Sequence, residues 1–599
     1  MQISTTSNLA VIAIWLFSLE GAAAIAACID PDLDRVSKTT SLMLCDGTIA
    51  SGRLVLPDLS MLQPQNLAAG TTIAGVIGQV VMPSACSDGG TGVGCVASSA
   101  FPAAAASHLT AGNIRSGVTI GGVTGDYPSA TYPLITPAIA FTSEYCTTER
   151  RTNSPFANSG DAGAGASSAT PFTICTLDQL DAMRTALSAN FRLAANIDAS
   201  PTKSSNAGAG WDPVGATKSA PFLGSFDGDG KTIDGLSIAR PSTDNIGLFG
   251  VTCAYSSVWT ECQSSHATFL KNVRFTHANI NGSSDVGILA GIAFYNQISG
   301  VRVSGKVAGW QRVGGIVGQA GEADIANVGA EVVVSAIGSL VGGVAGNGEN
   351  AHFTNCYATG RVFGGTGPTP FSSYVGGVVG QLGKGSVDKC LFVGSVVGSG
   401  LGIGGLIGTT ALSGTATVSN SYAVAQITGR EHLAGFIGIA MDVAITKSYA
   451  AGEVSAFISN GNVGGLVAKS QGTVSAQDSF YAGHVKGEQW LVNGMGVFTG
   501  LALSSSTNNF YSGANTNHGA VATLDQTPFA AAKPESYFYG SNSAANNGAG
   551  EIFSDWDFNS VWLARSGRLP ALRCPAAFGA VLDCEDWDVA ARTALQGGI

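Results

Sequence analysis

Apolar residues and glycines between Val286 and Ala468 recur in one short phrase, apolar-Gly-Gly-apolar-apolar-Gly. The clearest copies are Val313-Gly314-Gly315-Ile316-Val317-Gly318, Val341-Gly342-Gly343-Val344-Ala345-Gly346, Val375-Gly376-Gly377-Val378-Val379-Gly380 and Ile403-Gly404-Gly405-Leu406-Ile407-Gly408. Weaker copies begin at Val286, Leu433 and Val463, and successive starts lie 27, 28, 34, 28, 30 and 30 residues apart. A repeat of that length marks a stack of supersecondary units, each burying its apolar face on its neighbours. After each phrase, polar and apolar positions alternate, as in residues 353–362, with relatives at 387–396, 418–423, 445–454 and 474–485. Period-two alternation predicts strands. One period therefore holds three short β segments separated by turns, none at hairpin spacing. Equivalent segments would stack in parallel about 4.8 Å apart, and their long connections suit a coil rather than a meander. The expected fold is all-β, a right-handed parallel β-helix whose lateral surface is its main asset.

The coil makes two further forecasts. Cys356 and Cys390 hold the same place in adjacent periods, 34 residues apart, like Val341 and Val375. Equivalent positions one coil apart are within the ~4.4–6.8 Å Cα separation of a disulfide. Paired glycines are expected where tight corners or close backbone approach leave no room for a side chain.

The flanks read differently. Residues 1–27 have the form of a signal peptide, with an apolar stretch from Leu9 to Phe17 and a small-residue site at Ala24-Ile25-Ala26, although residues 2–10 carry no Lys or Arg. Residues 28–126 are Gly/Ala-rich and contain a second repeat, 66–78 and 113–125, whose glycines suggest hairpins between short strands. Residues 127–170 form a Pro-punctuated linker and lead-in, 171–490 the coil, and 491–599 a closing segment. Near 176–189 apolar residues at 177, 180, 183 and 187 predict a helix with Thr176 as N-cap. Such a helix would cover the open end of the first coil.

Composition narrows the class. Only 12% of the 599 residues are charged and 82 are Gly, so Ser, Thr, Asn and Gly must finish the surface. A formal charge of -11 and the lack of a basic run oppose nucleic-acid binding. The twelve cysteines fall into neighbouring couples: Cys28 with Cys45, Cys86 with Cys95, Cys146 with Cys175, Cys253 with Cys262, Cys356 with Cys390, and Cys574 with Cys584. None shows doubled Cys-x-x-Cys spacing, so disulfides in an oxidising compartment are expected rather than a metal or other cofactor. Lipidation at Cys28 is the alternative to plain secretion, but it would leave an odd number of thiols.

These repeats resemble the GLUG-motif family of bacterial surface and adhesin-like proteins, which includes IgA-peptidase-type proteins. The upstream segments at 191–198, 211–215, 222–233 and 246–250 are similar to its lead-in, and 556–562 and 567–572 to its closing segment. More weakly, the phrases at 66–78 and 113–125 resemble short repeats of phage tail fibres. The resemblance implies display or adhesion at the cell surface and carries no universal catalytic residue.

Enzymatic readings find little support in the residues. A polysaccharide lyase or hydrolase needs paired carboxylates or acids clustered around calcium. Aligned by period, the position before the second strand reads Asp324, His352, Ser386, Thr417, Ala444 and Thr473. Two places later it reads Ala326, Thr354, Asp388, Ser419, Thr446 and Ser475, so no acidic ladder forms. The stretch from Asp227 to Asp234 lacks the spacer and terminal Glu of an EF-hand loop and reads as a turn. The seven histidines (108, 266, 277, 352, 432, 484, 518) include no pair one helical turn apart beside a Glu. Nor does any Gly-x-Ser-x-Gly stand at a strand-to-helix turn with a plausible triad. The expectation is a secreted, non-enzymatic surface protein with no catalytic residue and no cofactor. Its candidate binding aromatics are Trp259 and Trp310, and its partner a glycan or protein on another cell. Oligomers would form through the N-terminal region; a carbohydrate-active β-helix enzyme and a structural fibre component are the alternatives.

Overall fold

The computed structural model describes residues 145–253, 268–365, 373–411, 414–456, 461–487, 494–496, 498–512, 530–539, 551–565 and 568–573, with six short strands between 42 and 124. The chain divides into compact units at 1–137 and 138–599. In the first, Thr72–Ile73 pairs antiparallel with Val76–Ile77, and Thr119–Ile120 with Val123–Thr124. Both copies of the N-terminal phrase thus form hairpin strands separated by two residues, the spacing its glycines suggested.

The second unit is a parallel β-solenoid. An eight-stranded sheet runs from Ser284–Val286 through Gln311–Gly314, Val341–Gly342, Tyr374–Gly376, Gly402–Gly404, Leu433–Ala434 and Asn462–Gly464 to Gly494–Gly496. It is built from the starts of the Gly-Gly phrases. A second ladder follows each phrase and includes Ala290–Phe294, Val317–Gly321, Ala345–Glu349, Val379–Leu382 and Ile407–Thr410. Long strands such as Asp324–Ala336, Ala351–Gly364 and Gly385–Gly398 then bend through two further ladders. Each coil therefore carries four ladders rather than the expected three, because the phrase straddles a corner instead of forming one strand.

The corner explains the glycines. None of them has the left-handed φ that favours glycine, so steric room, not conformational freedom, is the reason for them. A Cβ on Gly346 would lie 2.5 Å from the backbone nitrogen of Val313, and one on Gly380 would lie 2.4 Å from that of Val341. A Cβ on Gly343 would meet the carbonyl oxygen of Gly377 at 2.2 Å. Two backbone layers touch here with nothing between them. Their polar groups are satisfied along the stack, as when Ile316 N–H donates to the Val344 carbonyl at 2.9 Å. The apolar residues of each phrase, such as Val313, Ile316 and Val317, are completely buried, and one continuous core runs from Phe156 to Ala530.

A second corner divides the third ladder from the fourth. Asn272, Gly300, Asn327, Asn355, Lys389, Asn420, Lys447, Asp478 and Asn508 occupy it on successive coils, all with positive φ. Asn and Asp tolerate this left-handed region better than other non-glycine residues. Just after it, the stack buries Cys356, Cys390, Ser421, Ser448, Ser479 and Asn509.

At the start of the stack, Thr176 caps a helix over Leu177–Asp181 that continues as a 3-10 turn, Ala182–Thr185. Leu180 and Met183 are fully buried in the core, so the helix lies over the first strands as the apolar spacing predicted. At the other end the ladders continue through Phe510–Ser512 to Ala531–Lys533. The closing segment then lies over an outward column formed by Tyr357, Leu391, Tyr422, Tyr449, Phe480 and Phe510. Tyr422 and Tyr449 stack at 4.9 Å, and Tyr449 and Phe480 at 4.8 Å. Phe538, Phe553, Trp556 and Trp562 cover them, and Tyr449 Oη donates to the Pro570 carbonyl at 2.6 Å.

Candidate binding surface

Outward residues of the fourth ladder form columns along the stack. Lys306, Val333, Arg361, Ser395, Gln426, Glu453 and His484 are one such column, and Ala308, Ser335, Phe363, Val397, Thr428, Ser455 and Lys486 the next. On three adjacent coils the columns gain an apolar patch. Val333, Ser335 and Ile337 point outward because Val334 and Ala336, between them, are buried. Trp310 lies beside Ile337, since Gly338 N–H donates to the Trp310 carbonyl at 2.7 Å and Ile337 N–H to that of Gly309 at 3.1 Å. Gly338 allows this close backbone approach: a Cβ there would stand 2.7 Å from the Trp310 carbonyl oxygen. Trp310, Val333 and Ile337 are 39%, 38% and 45% exposed, and the Arg361 guanidinium lies 4.9 Å over the Phe363 ring.

The patch is anchored below. Asp285 and Arg312 precede the first apolar residue of adjacent phrases, and Arg312 grips the buried Asp285 carboxylate with two N–H groups, one at 2.8 Å. Hydrogen bonding to Asp285 raises the guanidinium pKa above its ordinary value, outweighing the cost of burial. Bidentate geometry fixes the turn carrying Trp310 and Gln311.

The structure joins Cys146 to Cys175 and Cys356 to Cys390, with Cα separations of 5.6 and 4.5 Å. Cys253 is also disulfide-bonded. Cys28, Cys45, Cys86, Cys95, Cys262, Cys574, Cys584 and Trp259 lie outside the described residues, as does the segment read as a signal peptide. Around the Asp227 turn, Asp229 N–H bonds Asp227 Oδ1 at 2.9 Å, Lys271 pairs with Asp227 at 3.4 Å and Lys231 with Asp229 at 3.2 Å. Its carboxylates are thus engaged by ammonium groups.

One alignment needs correction. Ala444 pairs with Ser475, not Thr473, and Thr446 with Gln477, not Ser475. The register shifts between Met441 and Val443, where the later coil holds an extra residue. Val443 and Ile445 are both buried, so alternation by two cannot distinguish a slip by two. The corrected columns still contain no run of acids. Sequence alignment did miss an acidic pair in the lead-in: Asp198 and Asp234 are in register, followed on the next coil by Thr276. Asp234 Oδ1 is taken up by Thr276 Oγ1 at 2.6 Å and His277 Nδ1 at 2.7 Å, while Asp198 caps Ser200 N–H at 2.9 Å. Aligning the lead-in with the repeats would have found this pair.

Three similarities to known proteins stand beside this geometry. The family model of the GLUG motif matches residues 336–362, one full turn of the stack. Over 150 residues the chain is 37% identical to halomucin from Haloquadratum walsbyi (strain DSM 16790 / HBSQ001); the stretch is 24% of this chain and only 2% of that protein. A crystal structure of a candidate immunoglobulin A1 protease from Bacteroides ovatus overlaps 68% of this chain and 93% of its own, at 17% identity and a TM-score of 0.32, too low to support transfer of activity. The repeated phrase, the corner it builds and the matched turn agree: the chain carries a match to the GLUG motif at residues 336–362, and that segment forms part of a parallel β-solenoid.

Proposed function

We propose that this chain is an exported, non-enzymatic surface protein that holds a partner on the lateral face of its solenoid. The observation that carries the reading is the clustering of Trp310, Val333, Ile337 and Phe363 on three adjacent coils, flanked by Lys306 and Arg361. Large apolar side chains exposed together on a rigid sheet favour binding over solubility. Aromatic anchors beside cations suit a glycan or a protein surface equally well. The GLUG match, the disulfides and the halomucin similarity support display outside the cell.

The test compares binding with turnover. Residues 28–599 are applied to whole cells and a glycan array, and soluble product is assayed in parallel. Binding that Trp310→Ala weakens at least about fivefold, without product, is expected for loss of an aromatic anchor. Product accumulation would replace this reading with a carbohydrate-active enzyme. A defined oligomer in light scattering would favour the fibre reading, which the two N-terminal hairpins motivate.

A further inference from the structure

A separate cleft opens on the first coils, far along the sequence from Trp310. Its volume is about 560 Å³, within the usual range for small-ligand sites. One wall is the segment that the Cys146–Cys175 disulfide ties to the stack, contributing Tyr145, Asp161 and Pro171. The opposite wall is the turn at Asp229 and Lys231, and Arg192 lies between.

The chemistry of this cleft is uneven. Arg192 stands outward on the strand Phe191–Leu193, in register with Thr173 on one side and Asp227 on the other. Asp227 would be its natural partner, but Lys271 and the Asn272 amide already occupy that carboxylate, at 3.4 and 3.1 Å. Among the described residues no ion pair engages Arg192. Lys231 is matched by Asp229, which leaves one guanidinium fork available. Tyr145 is 40% exposed, and Arg150, 4.2 Å over its ring and bonded to its hydroxyl, fixes its orientation. Ala162, Ala164, Ala169 and Ala194 line the remainder with short side chains.

We propose that this cleft binds a uronate-bearing saccharide. A guanidinium fork matches a carboxylate, an aromatic ring packs on the apolar face of a pyranose, and Asp161 accepts from ring hydroxyls. The cleft and the lateral patch share no residue.

The probe is a galacturonate trimer, titrated calorimetrically into the full chain, with its methyl ester as the uncharged control. The trimer should bind at least about tenfold more tightly than the ester, the difference of one charge-assisted contact. Arg192→Gln should abolish that difference by weakening the trimer, with the melting temperature unchanged because the side chain is exposed. Tyr145→Ala should weaken both ligands, and Trp310→Ala neither. Equal binding of acid and ester, full binding by Arg192→Gln, or no heat from the trimer at millimolar concentration would overturn the assignment.

Discussion

The hydroxyl of Ser421 accepts a hydrogen bond from the backbone N–H of Cys390, 3.1 Å away on the preceding coil. The relationship repeats up the stack: Ser421 N–H donates to Ser448 Oγ at 3.1 Å, Ser448 N–H to Ser479 Oγ at 3.3 Å, and Ser479 N–H to Asn509 Oδ1 at 2.9 Å. Each serine hydroxyl also donates to the carbonyl two residues before it. A buried polar spine thus continues the column that the Cys356–Cys390 disulfide begins.

Breaking the spine should be costly because nothing else can enter it. In Ser448→Ala the Ser421 N–H loses its acceptor inside a fully buried corner. The expected destabilisation is about 1–3 kcal/mol, read as a lower melting temperature. An unchanged melting temperature would mean that water replaces the hydroxyl.

The disulfide restrains a separation of 34 residues. Replacing Cys356 and Cys390 together by Ala should remove about 3–4 kcal/mol on the chain-entropy account. Peptide mapping without reductant should recover the two cysteines in one linked fragment, and recovery in separate fragments would refute the pairing.

Gly346→Ala tests the phrase itself. Its new methyl would lie 2.5 Å from the Val313 nitrogen and 2.7 Å from the Leu340 carbonyl, and neither backbone layer can yield alone. A loss of about 3 kcal/mol or more is expected, the upper end for overpacking. Gly160→Ala is the control, since nothing lies within 4 Å of its Cβ, and it should stay within about 0.5 kcal/mol of the parent.

Trp556 holds the closing segment down. Its ring lies 4.3 Å from that of Trp562 and 5.8 Å from that of Phe480, and its Nε1–H donates to the Asp478 carbonyl at 3.1 Å. Trp556→Ala should cost about 3–5 kcal/mol and uncover the Tyr449–Phe480 column. Dye binding to exposed apolar surface and faster proteolysis of residues 535–572 are the readouts; a mutant as protected as the parent would show that the cover does not depend on this ring.

His432 makes stability pH-dependent. Burial, assisted by Lys469, lowers its pKa from the ordinary 6.5 to about 4, and its Nδ1 accepts from Asn462 N–H at 3.0 Å. The folded state thus holds the neutral ring. Its contribution is fully present above about pH 6.5 and is lost as pH falls toward 4, because the unfolded chain binds the proton first. Melting curves at intervals from pH 7 to 4 should fall more steeply for the parent than for His432→Gln. Parallel curves would show that other groups dominate.

Much of this could be read in the chain. The period identified a stack, the in-step cysteines gave the pairing of one coil with the next, and Thr176 with its apolar spacing marked the capping helix. Less legible were features that depend on what faces a residue. The aromatic column at Tyr422, Tyr449 and Phe480 looks like core, yet it points outward and is buried by a segment that follows much later in the chain. Arg192 reads as an ordinary surface cation until Asp227 is seen to be occupied.

The sequence by itself determined the coil, because a period of apolar and glycine positions specifies which residues repeat and therefore which can stack. Only the tertiary structure decided the four-ladder corner, the slip at Val443, the polar spine and the exposure of Trp310. Each of these depends on distances between coils and across corners. A linear pattern encodes the alternation of side chains but not which backbone, or which carboxylate, another coil brings within 3 Å.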